Sequence, residues 1–221
     1  MTNFSIMKSL RAIVVCVAVM IGCQPAPDTA ATAESASVAR PEPQPQTPIV
    51  ISEQGIGAAA QGMTVGEVRA ALPSGTRMGD LNDNFMVDVI AWPVIAAQDT
   101  LYYLLFGQGS DIADSTHLEL VATLNKSVTT AEGVGPGTLL TDAAGKYGAP
   151  TLRFNTNDES REYAVFPNYP GSRVHFRVTP GNEERSLAGT YETVGEYNET
   201  SIFDPAARIL MIMVDVRPPV R

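Results

Sequence analysis

Disulfides are excluded by the placement of the only two cysteines. Cys16 lies inside an apolar run and Cys23 closes it, so nothing beyond residue 23 has a thiol to pair. Stability there must come from ordinary burial. The apolar run, residues 12–21, falls well short of the roughly 20 residues that a helical membrane span requires. Histidine is scarce too: His117 and His175 stand alone, with no His-Glu-x-x-His or Cys-x-x-Cys to hold zinc. No Gly-x-Ser-x-Gly elbow supplies a nucleophile. Gly55-x-Gly57 and Gly133-x-Gly135 lack the third glycine of a dinucleotide fingerprint and read as repeated turns. The stretch 80–84 starts like a calcium loop, but its sixth and twelfth positions are Phe85 and Ala91, so it reads as a polar loop. These absences leave no assigned catalytic residue, metal or cofactor. Basic residues are outnumbered as well, 15 against 24 acids for a net charge of −9. That balance excludes nucleic acid, whose affinity comes from neutralised phosphates.

What is present begins with a processing signal. Lys8 and Arg11 precede the apolar run, and Met20-Ile21-Gly22-Cys23 places a small residue before the cysteine. A positive start, a short apolar middle and a small residue at the cut describe a removable export signal, residues 1–23. Ending in Cys23, it resembles the signals of bacterial diacylglyceryl-modified lipoproteins, although Met20 stands where that family prefers Leu. The resemblance implies lipid on Cys23 and a membrane held as partner through that lipid. Gln24 occupies the place where Asp would signal inner-membrane retention, which implies an outer membrane, facing the periplasm. Residues 24–48 are rich in proline and alanine and almost free of bulky apolar side chains, so they read as a disordered tether.

Beyond the tether lies an internal duplication. Residues 52–57 and 62–68 recur as 130–135 and 137–143, with three extra residues in the first copy. Each copy enters a short helix. In the first, Thr64 and Glu67 form a capping box, Val65, Val68 and Leu72 share one face, and Pro73 ends it. In the second, Leu140, Ala143, Ala144 and Tyr147 share a face before Gly148 and Pro150. Helices this short need a sheet to bury against. Strands are predicted over 85–94, 101–106 and 118–124 after the first helix. After the second they are predicted over 152–154, 161–166, 173–178 and 208–216. Val174, Phe176 and Val178 alternate with Arg173, His175 and Arg177, as in a sheet with one wet face. The pattern predicts an α+β protein of two tandem copies of a short-helix plus antiparallel-sheet module, 49–127 and 128–221.

The step Gln61-Gly62-Met63-Thr64-Val65-Gly66-Glu67-Val68, with less of it at Gly137-Thr138 and Gly148-Ala149-Pro150, resembles two known groups. These are the small outer-membrane lipoproteins of the BamE (SmpA/OmlA) type and the tandem β-lactamase inhibitor proteins. The resemblance implies a binding or assembly role without catalysis and carries over no functional residue.

The candidate interaction surface is the wet stripe Arg173, His175 and Arg177, with Arg153 and Arg161 on neighbouring segments. Asp158, Glu159 and Glu162 lie close in sequence and are placed to neutralise it. A second candidate is the long connection 192–203, where Tyr197 and Phe203 follow Tyr191 among acids. Together these predict a non-enzymatic module that contacts an envelope protein or cell-wall polymer. The rivals are a hydrolase or small-ligand binder using a cleft between the two modules, and an inhibitor presenting its sheet face to a secreted enzyme.

Overall fold

A computed structural model describes residues 48–182 and 185–219. The export signal, Cys23 and all of the tether but Pro48 lie outside the described residues. The chain enters through three short strands, β1 (Val50–Ser52), β2 (Gly55–Ile56) and β3 (Ala59–Ala60), then helix α1 (Val65–Ala71). Strands β4 (Thr76–Met78), β5 (Asn82–Met86), β6 (Val89–Ala96), β7 (Asp99–Gly107) and β8 (Leu120–Thr123) follow. The second part opens with β9 (Thr129–Thr130) and α2 (Leu140–Tyr147). It continues through β10 (Thr151–Asn155), β11 (Glu162–Val165), β12 (Val174–Thr179), β13 (Tyr197–Thr200) and β14 (Arg208–Asp215).

The α+β expectation is corrected: the protein is mostly β, with two short helices among the described residues against fourteen strands. Ten of those strands form one sheet, in the order β13-β10-β11-β12-β14-β8-β7-β6-β4, with β5 also on β6. The remaining four form a small sheet, β3-β2-β1-β9, in which β1 and β9 run parallel. The large sheet is continuous because β8 and β14 pair antiparallel, from Leu120↔Asp215 to Thr123↔Ile212. Periodicity reported the longer strands but neither the short ones, β1 to β4, β9 and β13, nor this long-range ladder.

Both helix entries are tied by the same pattern of hydrogen bonds to the chain at or just before a central strand, β8 for α1 and β14 for α2. Val65 N donates to Thr116 O and Leu118 N to Met63 O, both at 2.9 Å. Leu140 N donates to Ala207 O and Ile209 N to Thr138 O, again both at 2.9 Å. The capping box at α1 is formed, with Thr64 N donating to Glu67 Oε2 at 2.7 Å and Glu67 N to Thr64 Oγ1 at 3.3 Å. α2 stops at Gly148, whose φ of 81° suits glycine.

The main core lies on the helix side of the sheet. Val65, Val68, Leu140 and Tyr147 pack there with Leu104, Val121, Leu152, Phe176, Ile212 and Val214. A smaller cluster occupies the opposite face: Ala91, Leu105, Ala122, Met211 and Met213, bordered by Phe85, Met86, Tyr103 and Tyr163. The expected wet face is therefore apolar at its middle. The predicted strand 85–94 is broken by a turn at Val87 and Asp88, and the polar stretch expected as a loop supplies β5 instead.

A candidate interaction surface

The five predicted basic residues sit on the face opposite the helices, and the four arginines among them are already engaged. Arg153 on β10 bonds Glu199 on β13 at 2.8 Å, with both side chains more than half exposed. Arg161, just before β11, is only 9% exposed and touches three carboxylates: Asp88 and Glu159 at 2.7 Å and Asp158 at 3.4 Å. Arg173 donates from Nη1 to the carbonyls of Asp215 and Arg217 at 3.1 and 3.3 Å. Its backbone N–H donates to Glu53 at 3.1 Å, across from the β1–β2 turn. Arg177 donates to the Met86 thioether at 3.4 Å, and among the described residues it has no carboxylate within ion-pair range. His175 lies exposed between the last two. Desolvation by the surrounding chain lowers its pKa, against an opposing pull from Asp215 and Glu53.

Arg173, His175 and Arg177 share a face, as the alternation predicts. Arg153 and Arg161 form a separate group around a recess of about 210 Å³ with Asp158, Tyr163, Tyr197 and Glu199. The Arg161 hydrogen bond holds the Asp88 carboxyl below its usual range. Arg153 and Arg161 are thus held in internal ion pairs, whereas in the stripe itself, among the described residues, only Arg173 approaches a carboxylate, Asp215 at 4.0 Å. An exposed pair such as Arg153–Glu199 contributes on the order of 0–1 kcal/mol.

Glu162 does not join that network. It shares the inward parity of Ala164 and points to the helix side, 4% exposed. There it accepts from Ala188 N at 2.6 Å, Gly189 N at 2.8 Å and Tyr191 Oη at 2.6 Å. Its parity on an alternating strand was the available signal. Burial first, and the Glu162 hydrogen bond second, push the Tyr191 phenol upward. Tyr191 also stacks edge-on against Phe154, with ring centroids 4.8 Å apart.

The three aromatics of the long connection therefore separate. Tyr191 is pinned by Glu162, Phe203 packs against the core, and Tyr197 is 77% exposed. Val194 and Ile202, neither singled out by sequence, are each 65% exposed on either side of it. All three flank or lie on β13, the edge strand of the large sheet. An exposed apolar group on a sheet edge is a feature of contact surfaces.

Other candidate chemistry resolves into structure. His117 Nδ1 lies 3.0 Å from Gly62 O beside the α1 entry, while Asp114 pairs with Arg69 at 3.0 Å. Tyr147 donates to Glu132 at 2.7 Å and lies 2.6 Å from Thr130 Oγ1. Burial first, and the Glu132 hydrogen bond second, raise its pKa. Among the described residues no three His, Cys, Asp or Glu side chains group to hold a metal. The glycine pairs expected as repeated turns do not repeat one geometry: Gly55 in β2 has φ of 148° where its counterpart Gly133 has 78°, and Gly57 has 59° where its counterpart Gly135 has no positive φ.

At the sheet, the β8–β14 ladder occupies the junction where a cleft between modules was expected. An apolar recess of about 350 Å³ lies elsewhere, between Ile49, Val50, Pro73, Val94, Leu101 and Tyr102. No helix among the described residues is long and apolar enough to cross a membrane.

No family model matches the chain, and no curated protein matches it. Among solved structures it is similar to the crystal structure of the uncharacterized protein yfeY from Escherichia coli. The identity is 15%, the match covers 75% of this chain and 99% of that one, and the TM-score is 0.42.

Proposed function

We propose that this chain is an acylated lipoprotein of the bacterial envelope, held by lipid on Cys23 and facing the periplasm from an outer membrane. Its folded part acts as a non-enzymatic interaction module that contacts an envelope protein through the β13 edge. The observation carrying this reading is the run of Val194, Tyr197 and Ile202, three large apolar side chains at least 65% exposed within nine residues of an edge strand. Such side chains gain by burial against a partner, about 25 cal/mol per Å² of apolar surface. Arg153 and Glu199 beside them supply a polar rim of the kind interfaces carry. The resemblance at residues 61–68 points toward the same class of role.

The test is a photo-crosslinking residue at position 197 in the full chain, with position 81 as a surface control. A discrete envelope protein joined from 197 and not from 81 supports the proposal. Wall fragments alone, or no adduct, remove it. Mass spectrometry of the mature chain tests the anchor separately, since an unmodified thiol at Cys23 ends that part.

The apolar recess at Ile49 and Tyr102 favours a second reading, a small apolar ligand. Native mass spectrometry of freshly purified protein decides it by the presence or absence of a bound mass lost on Leu101→Trp.

A further inference from the structure

The apolar cluster opposite the helices is roofed by its own chain. Phe85 on β5 lies over Tyr103 with ring centroids 4.6 Å apart, and Met86 reaches Arg177. Beneath them Ala91, Leu105, Ala122, Met211 and Met213 are at most 7% exposed. The β5–β6 turn ends at Asp88, whose carboxylate meets Arg161 in front of β11. In the sheet order β6 and β11 stand five steps apart. On a flat sheet that is about 24 Å at the usual strand spacing, beyond the reach of the two side chains. The sheet's twist accumulates to roughly 100° over those steps and curls opposite corners toward the same face. The ion pair is the place where the corners meet.

The two sides of this contact are built differently. Arg161 is held by Asp158 and Glu159 whether or not Asp88 is present. Glu159 and Ser160 adopt φ of 51° and 53°, a left-handed conformation uncommon for such residues, and it turns the loop so that both acids face Arg161. On the other side, β5 pairs with β6 only, with register contacts at Asn82↔Ala91 and Met86↔Val89 and an irregularity between. Val87 at its tip is 77% exposed. One side is a fixed socket; the other is a lightly held edge strand of the type that opens locally at low cost.

We propose that the β5–β6 turn and the β10–β11 turn are the two lips of a closable inner face, fastened by Asp88 in the Arg161 socket. When the lips part, the tip at 85–88 lifts and the Met211 and Met213 floor meets solvent while β8 and β14 stay paired. Methionine suits such a floor, because its flexible thioether repacks against differently shaped neighbours. This inference is independent of the partner proposed for the β13 edge.

Asp88→Asn tests it, since that side chain is 61% exposed and its loss leaves the core intact. Losing a charge-assisted hydrogen bond should raise amide exchange at residues 85–90 and peroxide oxidation of Met211 and Met213 about tenfold. Exchange in β8 and β14 and oxidation of Met63, on the helix side, should not change. Asp88→Glu should restore most of the protection, and Arg153→Gln, which touches a different pair, should have no effect. An unchanged Met211 and Met213, or acceleration equal across β8 and β14, overturns the proposal.

Discussion

Replacing Glu162 tests whether one buried carboxylate holds the segment that leads to the exposed β13 edge. Its oxygens receive two fully buried backbone N–H groups, from Ala188 and Gly189, and the Tyr191 hydroxyl. A buried donor left without an acceptor costs about 1–3 kcal/mol. In Glu162→Ala the two backbone donors are stranded, while the partly buried Tyr191 hydroxyl reaches water. The expected loss is therefore about 3–5 kcal/mol. Glu162→Gln keeps one acceptor but turns an amide N–H₂ toward a donor, for about 2 kcal/mol. Tyr191→Phe removes one hydrogen bond, about 1 kcal/mol. Urea unfolding at neutral pH gives each value from the midpoint at constant slope. Crosslinking from position 197 should fall in Glu162→Ala even under conditions where the sheet stays folded, because the pinned segment leads directly to that surface. A loss under about 1 kcal/mol for Glu162→Ala, or equal losses for the alanine and glutamine variants, refutes the reasoning.

Thr64→Ala removes the capping box at α1 and should cost about 1 kcal/mol by urea unfolding. Arg153→Ala breaks a pair that is more than half exposed on both sides, so stability should change by less than about 0.5 kcal/mol. Burial raises the Tyr102 and Tyr169 phenols from 10.0 to about 12, so the native state keeps protons that the unfolded chain loses. Stability should thus be intact below pH 10 and decline between pH 10 and 12, with tyrosinate absorbance delayed until the upper end. Asp88 and Asp215 are both lowered from 3.8, by hydrogen bonds from Arg161 and Arg217 respectively. Their contribution is present above pH 3.8 and lost as acid titrates them, which acid unfolding of Asp88→Asn should show as a flatter profile.

The alternation of Val174, Phe176 and Val178 gave β12 its face, and the apolar run 209–214 marked a central strand because burial on either side of a sheet writes a local pattern. The Thr64–Glu67 box and Gly148 marked both helices for the same reason: each signal sits within four residues of what it stabilises. The two-residue strands β2, β3 and β9 are too short to alternate, β1, β4 and β13 have only three or four residues each, and Asn82-Asp83-Asn84 of β5 has the composition of a turn, so seven of the fourteen strands leave no readable periodicity. That undercount made two helices look like half of an α+β protein. Charge followed the same rule at a longer range. Arg161 was visible as a basic residue near acids, yet the partner that gives it a structural role, Asp88, lies 73 positions away and meets it across the sheet face. A stripe of arginines in the sequence therefore has two physical outcomes, free positive charge or closure of the fold on itself. Only the long-range ladder decides between them, and here the β8–β14 pairing, by joining two meanders into one curled sheet, brings the acid to the arginine. The same ladder leaves β13 at an edge, where nothing among the described residues covers Tyr197.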